Sequence, residues 1–300
     1  PLGDVSISGF STESLYFKGM EEKFGIKFHT FQAGECKGAA EAFSRTSMSK
    51  EVKENLSSML FDMWEHYVRG VSKNLKKTED EIKYFAQTPY NLLLQYSGND
   101  AQMALGYGIV TDVMTMKDFK EKMKEELSQG EELSFVSYTD YIKTLKKREY
   151  SNKVGVIYLT GSITSSKSRN NTADVAVASE ITTLFNKAMR KNDIKAIVVR
   201  VDSGGGEVFA SELMRRALRE AKEKYNKPVV VSMGSVAASG AYWISSSADY
   251  IFASPFTITG SIGVLAMLPN FQGLLEEKLG ITSDRVGVIE DSYSAFSTLT

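Results

Sequence analysis

The residues of this chain best suited to chemistry are a serine, a lysine and a run of glycines, and none of them suffices alone. Ser239 follows an apolar run, Val229-Val230-Val231, that empties into Gly234, Ser235, Ala237 and Ala238, with Gly240 and Ala241 beyond. Tyr242, Trp243 and Ile244 then resume an apolar pattern of helical character. A strand that breaks into Gly and Ala and turns into a helix leaves room for close backbone approach. A serine at that junction lies near free helix N–H groups, which can stabilise a developing anion. It is either a nucleophile or a helix cap, and this stretch by itself leaves both open.

A serine hydroxyl is a weak nucleophile near neutral pH and needs a base. The chain has two histidines. His29 falls in a strand pattern and His66 in the middle of a long helix beside Trp64 and Glu65, so both read as surface or strand residues and a Ser-His-Asp triad is poorly supported. The remaining base is a lysine whose ammonium form is disfavoured by burial. Lys37, within Gly34-Glu35-Cys36-Lys37-Gly38-Ala39-Ala40, is the one lysine set among small residues and away from the charged runs. Standing alone it reads as an exposed lysine at a helix start. Asp202-Ser203-Gly204-Gly205-Gly206 ends another buried strand and fits neither a dinucleotide fingerprint nor a P-loop. Consecutive glycines let backbone N–H groups approach a substrate carbonyl as an oxyanion hole does; the alternative is an ordinary βα turn. Cys36 reads as a buried small side chain, and the 12 methionines as core and interface filler rather than metal ligands.

The elements that must position these residues change rhythm along the chain. Residues 11–24 open with a capping-box-like start and read as a helix, Ile26–Gln32 as a strand, and Ser49 to about Lys77 as a long amphipathic helix capped at Ser49. Further helices fit 78–87, 99–106 and Met116–Leu127. After a composition shift over 128–152, strands at Val154–Leu159, Ala196–Val201, Val229 onward and Tyr250–Ala253 alternate with helices at Val175–Met189, Val208–Tyr225 and after Ser239. That alternation gives an α/β chain with a largely parallel sheet, whose sites gather at the C-terminal ends of the strands. The expected division is a first part at 1–148 and a second, carrying Ser239, at 149–300.

Composition bounds the partners. The 300 residues carry a formal net charge of -1, which gives no bulk field for nucleic acid. One cysteine excludes an internal disulfide framework. No apolar stretch approaches the roughly 18 residues that span a bilayer, and no signal-peptide pattern opens the chain. Starting at Pro1-Leu2-Gly3 and ending at Ser297-Thr298-Leu299-Thr300, both ends read as cut.

The sequence also repeats itself. Glu21-Glu22-Lys23-Phe24-Gly25-Ile26 matches Glu276-Glu277-Lys278-Leu279-Gly280-Ile281, an offset of 255 residues. Pro1 and Gly9 pair with Pro255 and Gly263 at 254, Glu35 with Glu290 at 255, and Ala42-Phe43-Ser44 with Ala295-Phe296-Ser297 at 253. The chain then holds the back part of one copy and the front part of the next. Lys37 pairs with Ser292, so the second copy lacks the lysine.

Taken together, Asp202-Ser203-Gly204-Gly205-Gly206-Glu207-Val208, the run Val230 to Trp243, Thr259-Gly260-Ser261-Ile262-Gly263 and Gly34 to Glu41 resemble the signal peptide peptidase family SppA (protease IV) in its long tandem-repeat form, within the ClpP/crotonase superfamily. The resemblance implies two tandem ClpP/crotonase-like domains, truncated here at both ends. It implies a Ser/Lys dyad with Ser239 as nucleophile and Lys37 as general base, and an oxyanion hole from the N–H groups of Gly240 and of Gly205 or Gly206. Two positions depart from the family: Gly204 stands where proline is usual and Glu207 where a small polar residue is common, which suggests a more flexible loop. Also implied are cleavage of signal peptides and other short or unfolded polypeptides, a homo-oligomer (a tetramer), no metal or other cofactor, and membrane association through a segment outside this chain, on the extracytoplasmic side of a bacterial inner membrane. Two rivals stand beside it: a crotonase-like acyl-CoA enzyme, working through carboxylates and glycine N–H groups, and a catalytically inactive peptide-binding scaffold.

Overall fold

Apolar residues spaced by two in the strands and by three or four in the helices bury one common face, and that face builds the part of the molecule holding Ser239. The computed structural model describes residues 3–34, 37–127, 135–145, 150–166, 174–286, 288 and 293–297. In chain order the elements are α1 (Lys18–Phe24), β1 (Lys27–Ala33), a 3-10 turn (Gly38–Ala40), α2 (Glu41–Ser44), α3 (Lys50–Leu75), α4 (Glu79–Gln87), α5 (Pro89–Gln95), α6 (Asp100–Gly106), α7 (Met116–Leu127) and α8 (Tyr138–Thr144). There follow β2 (Lys153–Thr160), β3 (Ser162–Thr164), β4 (Val175–Val177), α9 (Ala178–Arg190), β5 (Ile194–Ser203), α10 (Val208–Tyr225) and β6 (Val229–Ala238). The last are α11 (Gly240–Ser245), β7 (Tyr250–Phe252), β8 (Ile258–Gly260), β9 (Val264–Asn270) and a π-helical turn (Leu274–Lys278). This is the expected mixed α/β architecture with a parallel sheet.

The chain folds into two compact units that do not follow sequence order. One comprises residues 1–11 and 60–150, the other 12–59 and 151–300. The expected division at 148/149 follows sequence order; the compact units are a different partition, in which residues 12–59, with Lys37, join the second half. The first unit is helical, with Ile7, Val68, Ile82, Phe85, Leu92 and Met103 in its core. Thr78 and Glu81 form a reciprocal capping box at the start of α4.

The second unit is built on a parallel sheet of order β2-β5-β6-β7, with β8 also pairing to β6. Alternate residues of the two central strands, Ile197, Val199, Val201 and Val229, Val231, Met233, are buried. They share one core with Ile181, Phe185 and Met189 of α9 and Ala210, Met214 and Leu218 of α10, positions four apart on each helix. The register aligns Val156, Val198, Val230 and Tyr250 across the sheet, and Val156 and Tyr250 on its edge strands are exposed. Separately, β1 and β9 form an antiparallel pair running from Lys27↔Asn270 to Ala33↔Val264. The matched glycines of the sequence repeat share a left-handed backbone, φ 69° at Gly25 and 66° at Gly280. The pairings of Glu35 with Glu290 and of Lys37 with Ser292, and Cys36 itself, involve positions outside the described residues.

Several expectations shift. The helix over 11–24 begins only at Lys18: Phe17 donates its N–H to the Ala42 carbonyl at 2.6 Å, a tertiary bond that outweighs the local capping signal. Val175–Val177 forms β4, paired with β3, before α9 starts, as β-branched residues with a strand partner favour. Most consequential for the site, β6 does not stop at its small residues but runs to Ala238, because Val236, Ala237 and Ala238 find partners in Ile258, Thr259 and Gly260 of β8. The sequence patterns predict none of α5, α8, β3, β8 and β9. At the start of α3, Ser49 caps as expected, its Oγ accepting from Val52 N–H at 3.2 Å.

Phe185 is fully buried between α9 and the sheet. Phe185→Ala should lower unfolding free energy by about 3–5 kcal/mol, read as a reduced denaturant midpoint for the Ser239-bearing unit.

Candidate active site

Ser239 stands where β6 ends and α11 begins, and its backbone is held at φ 53°, ψ −121°, a conformation that costs a non-glycine residue on the order of 1–3 kcal/mol. Two backbone bonds fix it there: Ser239 N–H donates to Gly260 O at 2.9 Å, and Ser239 O accepts from Trp243 N–H at 2.9 Å. Its hydroxyl does not cap α11, which removes one of the two readings its sequence context left open.

The side chain that reaches Ser239 is Lys37. Lys37 Nζ lies 3.0 Å from Ser239 Oγ across 202 residues of sequence. It also donates to the carbonyl oxygen of Ser261 at 2.8 Å and to Ser261 Oγ at 3.1 Å. Three oxygens therefore surround one amine, and none of the three is a carboxylate. Lys37 is 9% exposed, and burial holds its pKa below the ordinary lysine range. Its approach is set by β1 and by Gly34. At φ 116°, Gly34 lies so near the segment leading into β9 that a Cβ there would sit 2.7 Å from the Ile262 carbonyl oxygen. His29 stays in β1, opposite Leu268.

The glycine loop after β5 packs against the same point. A Cβ on Gly205, itself at φ 99°, would lie 2.8 Å from both Gly240 N and Ser239 Cβ. The two candidate oxyanion donors of this loop differ in what their N–H groups already do. Gly205 N–H donates to Ser203 Oγ at 3.2 Å. Gly206 is bracketed by Ile163, which donates to Gly205 O at 2.9 Å and accepts from Glu207 N–H at 3.0 Å. This bridge turns the Gly206 N–H away from Ile163. Among the described residues, neither Gly206 N–H nor Gly240 N–H has a hydrogen-bond partner, and both residues line one cavity with Ser239.

The two departures in this loop have structural consequences. A Cβ on Gly204 would meet nothing within 4 Å, so a side chain fits there. The Glu207 carboxylate accepts from Thr164 Oγ1 at 2.8 Å, Ser165 N–H at 2.9 Å and Ser165 Oγ at 2.5 Å, bonds that lower its pKa. Glu207 thus ties the loop to the segment after β3 rather than leaving it loose.

The cavity at Ser239 measures about 460 Å³ and is walled by Val208, Ser211, Tyr242, Trp243, Ile262 and Val264 besides the residues above. Ser211 is fully buried, its Oγ donating to Glu207 O at 2.8 Å. Arg215, paired with Glu212 at 2.7 and 2.8 Å, lies 5.9 Å from the Trp243 ring and steadies that wall. Among the described residues, no group of His, Cys, Asp and Glu side chains could hold a metal ion, and no helix is long and apolar enough to cross a membrane. Ser261 is the site residue that sequence reasoning missed. It lay inside the quoted Thr259–Gly263 motif, but its two contacts with the lysine depend on a left-handed turn at φ 49° that spacing does not reveal.

This arrangement can be set beside known proteins. The chain is 39% identical over 305 residues to Protease 4 of Haemophilus influenzae, covering 99% of this chain and 49% of that protein. It is 34% identical over 291 residues to Protease 4 of Salmonella typhi (95% and 46%) and 30% identical over 286 residues to the chloroplastic serine protease SPPA of Arabidopsis thaliana (93% and 40%). The chain thus spans about half the length of the curated relatives it matches. The model of peptidase family S49 matches residues 1–129 and 221–294. On that match, which includes both Lys37 and Ser239, the chain belongs to peptidase family S49.

Proposed function

We infer that this chain carries the active site of a serine endopeptidase in which Ser239 is the nucleophile and Lys37 the general base. The observation that carries the reading is the 3.0 Å approach of a buried lysine amine to the hydroxyl of a serine on a strained strand–helix turn. The names of the relatives, one of them a serine protease, support it. A crotonase-like acyl-CoA chemistry would make no use of this pair, and nothing in the site favours it.

The chemistry follows from proton positions. With Lys37 neutral, two of its hydrogens go to the two oxygens of Ser261, and the lone pair is left toward the Ser239 hydroxyl. Lys37 takes that proton as Ser239 Oγ attacks the scissile carbonyl, and the N–H groups of Gly206 and Gly240 receive the developing oxyanion. Gly205 supports them by fixing the loop through Ser203. Lys37 then protonates the leaving amine, and water hydrolyses the acyl-enzyme. The largely apolar cavity beside Ser239 receives a side chain on the acyl side. The resemblance extends the reading to signal peptides and other short or unfolded polypeptides as substrates, to two tandem ClpP/crotonase-like repeats, and to a homo-oligomer, a tetramer, acting at the extracytoplasmic face of a bacterial membrane.

Ser239→Ala and Lys37→Ala should each lower kcat/KM for a peptide substrate by about 10³–10⁶-fold while leaving the circular dichroism spectrum close to wild type. Residual turnover by either variant at a tenth of the wild-type rate would end the dyad reading. Since the competent base is the neutral amine, kcat/KM should climb with pH through the lowered Lys37 pKa and then level off.

Stability has its own sign. Between the lowered folded value and the ordinary lysine value, the unfolded chain binds more protons, so stability rises with pH across that window. Lys37→Met should therefore raise Tm at pH 7, and its advantage should shrink as pH approaches 10.

A further inference from the structure

Two cavities flank the dyad. The first, about 460 Å³, has Ser239, Gly206 and Gly240 in its wall. The second, about 820 Å³, is walled by Gly38 and Ala39, which follow Lys37 in the chain, by Ser261, whose two oxygens hold Lys37 Nζ, and by Leu56 and Met59 of α3. Ile262 belongs to both walls. Ser239 and the two glycines thus line one cavity, and the other is lined by the residues that follow Lys37 in the chain and by its anchor, Ser261.

Resting on the Ser/Lys reading above, we propose that the larger cavity is the leaving-group subsite, which takes the residue on the C-terminal side of the scissile bond when its side chain is uncharged. The argument is the fate of one proton. In acylation the bond from Ser239 Oγ to the carbonyl carbon forms, the carbon–nitrogen bond breaks, and the proton that passed from Oγ to Lys37 Nζ moves to the departing nitrogen. That nitrogen must come within hydrogen-bond reach of Nζ, about 3 Å, so the residue carrying it starts on the lysine flank. The acyl half stays on Ser239 with its oxygen toward Gly206 and Gly240, which keeps its side chain on the flank of the smaller cavity.

The chemistry of the wall sets the class of side chain. Its polar members, Thr12, Ser14, Tyr16, Asn55, Thr259 and Ser261, are all neutral, and among the described residues no charged side chain lines it. A charge brought into such a wall has no partner and is disfavoured. Val52, Leu56 and Met59 offer apolar contact, and the volume accepts an aromatic or a large aliphatic group.

The test isolates this flank by reversing the leaving step. An ester substrate acylates Ser239 without a leaving amino-acid residue, and amino-acid amides then compete with water for the acyl-enzyme. In that aminolysis the amine nitrogen bonds to the acyl carbon, the bond to Oγ breaks, and the amine proton returns through Nζ to Oγ. Phenylalaninamide and leucinamide should capture the acyl-enzyme at least about tenfold better than glycinamide or the α-amide of glutamic acid. Asn55→Trp, a change at an exposed position of α3 on the cavity wall, should erase most of that preference, and Leu56→Ala should weaken it. Equal capture of all four amides, or an Asn55→Trp variant with the wild-type preference, would overturn the proposal. Failure of any acyl-enzyme to form on Ser239 would instead overturn the Ser/Lys reading, and the subsite with it.

Discussion

A primary amine removed from water, with no carboxylate beside it among the described residues, is the constraint on which the rest of this unit depends. Burying an ammonium ion is costly unless it is paired, and Lys37 is given three uncharged oxygens instead of a counter-ion. Uncharged acceptors satisfy its N–H groups without favouring the charged form as strongly as a carboxylate would, so desolvation prevails and the neutral amine becomes accessible. A carboxylate in place of Ser261 would hold the proton on the lysine. The three uncharged oxygens are therefore as much a part of the site as the lysine is.

Keeping the amine buried requires strands from distant parts of the chain. β1 brings Lys37 in, β9 and the turn at Ser261 close over it, and β8 extends β6 far enough to deliver Ser239. The strained backbone at Ser239 persists because its N–H and C=O are each tied, to Gly260 and Trp243. The glycine loop reaches the same point because Ile163 and Ser203 occupy its other polar groups. What those bonds leave over is the N–H groups of Gly206 and Gly240, two residues that line the cavity.

Much of this was legible in residue types and periodicity. The long helices and the central strands follow from apolar spacing that tertiary contacts reinforce, and the small-residue setting of Lys37 and Ser239 marked both for attention. Where local signals competed with distant partners they lost: Ser11 and Thr12 carry capping chemistry, yet no helix forms before Lys18, where Phe17 bonds to Ala42. Gly234 looked like a strand's end, yet β6 continues because β8, invisible by itself at three residues, lies alongside. That Gly205 N–H is already bonded and Gly206 N–H is not, among the described residues, rests on hydrogen bonds that no spacing contains, and the contacts of Ser261 with Lys37 rest on its turn.

The discontinuous unit has a consequence in time. Lys37 and Ser239 lie 202 residues apart, and at a synthesis rate of 5–20 residues per second the ribosome needs roughly 10–40 s to pass from one to the other. Throughout that interval the lysine segment has emerged without the strands that desolvate it, so its amine stays solvated, charged and unable to act as a base. On the proposed Ser/Lys reading, the hydroxyl in turn has no activated neighbour until β9 has been made and laid beside β1. A growing chain so built would not attack itself or its neighbours on the ribosome, and the proposed chemistry would be switched on by the finished fold alone.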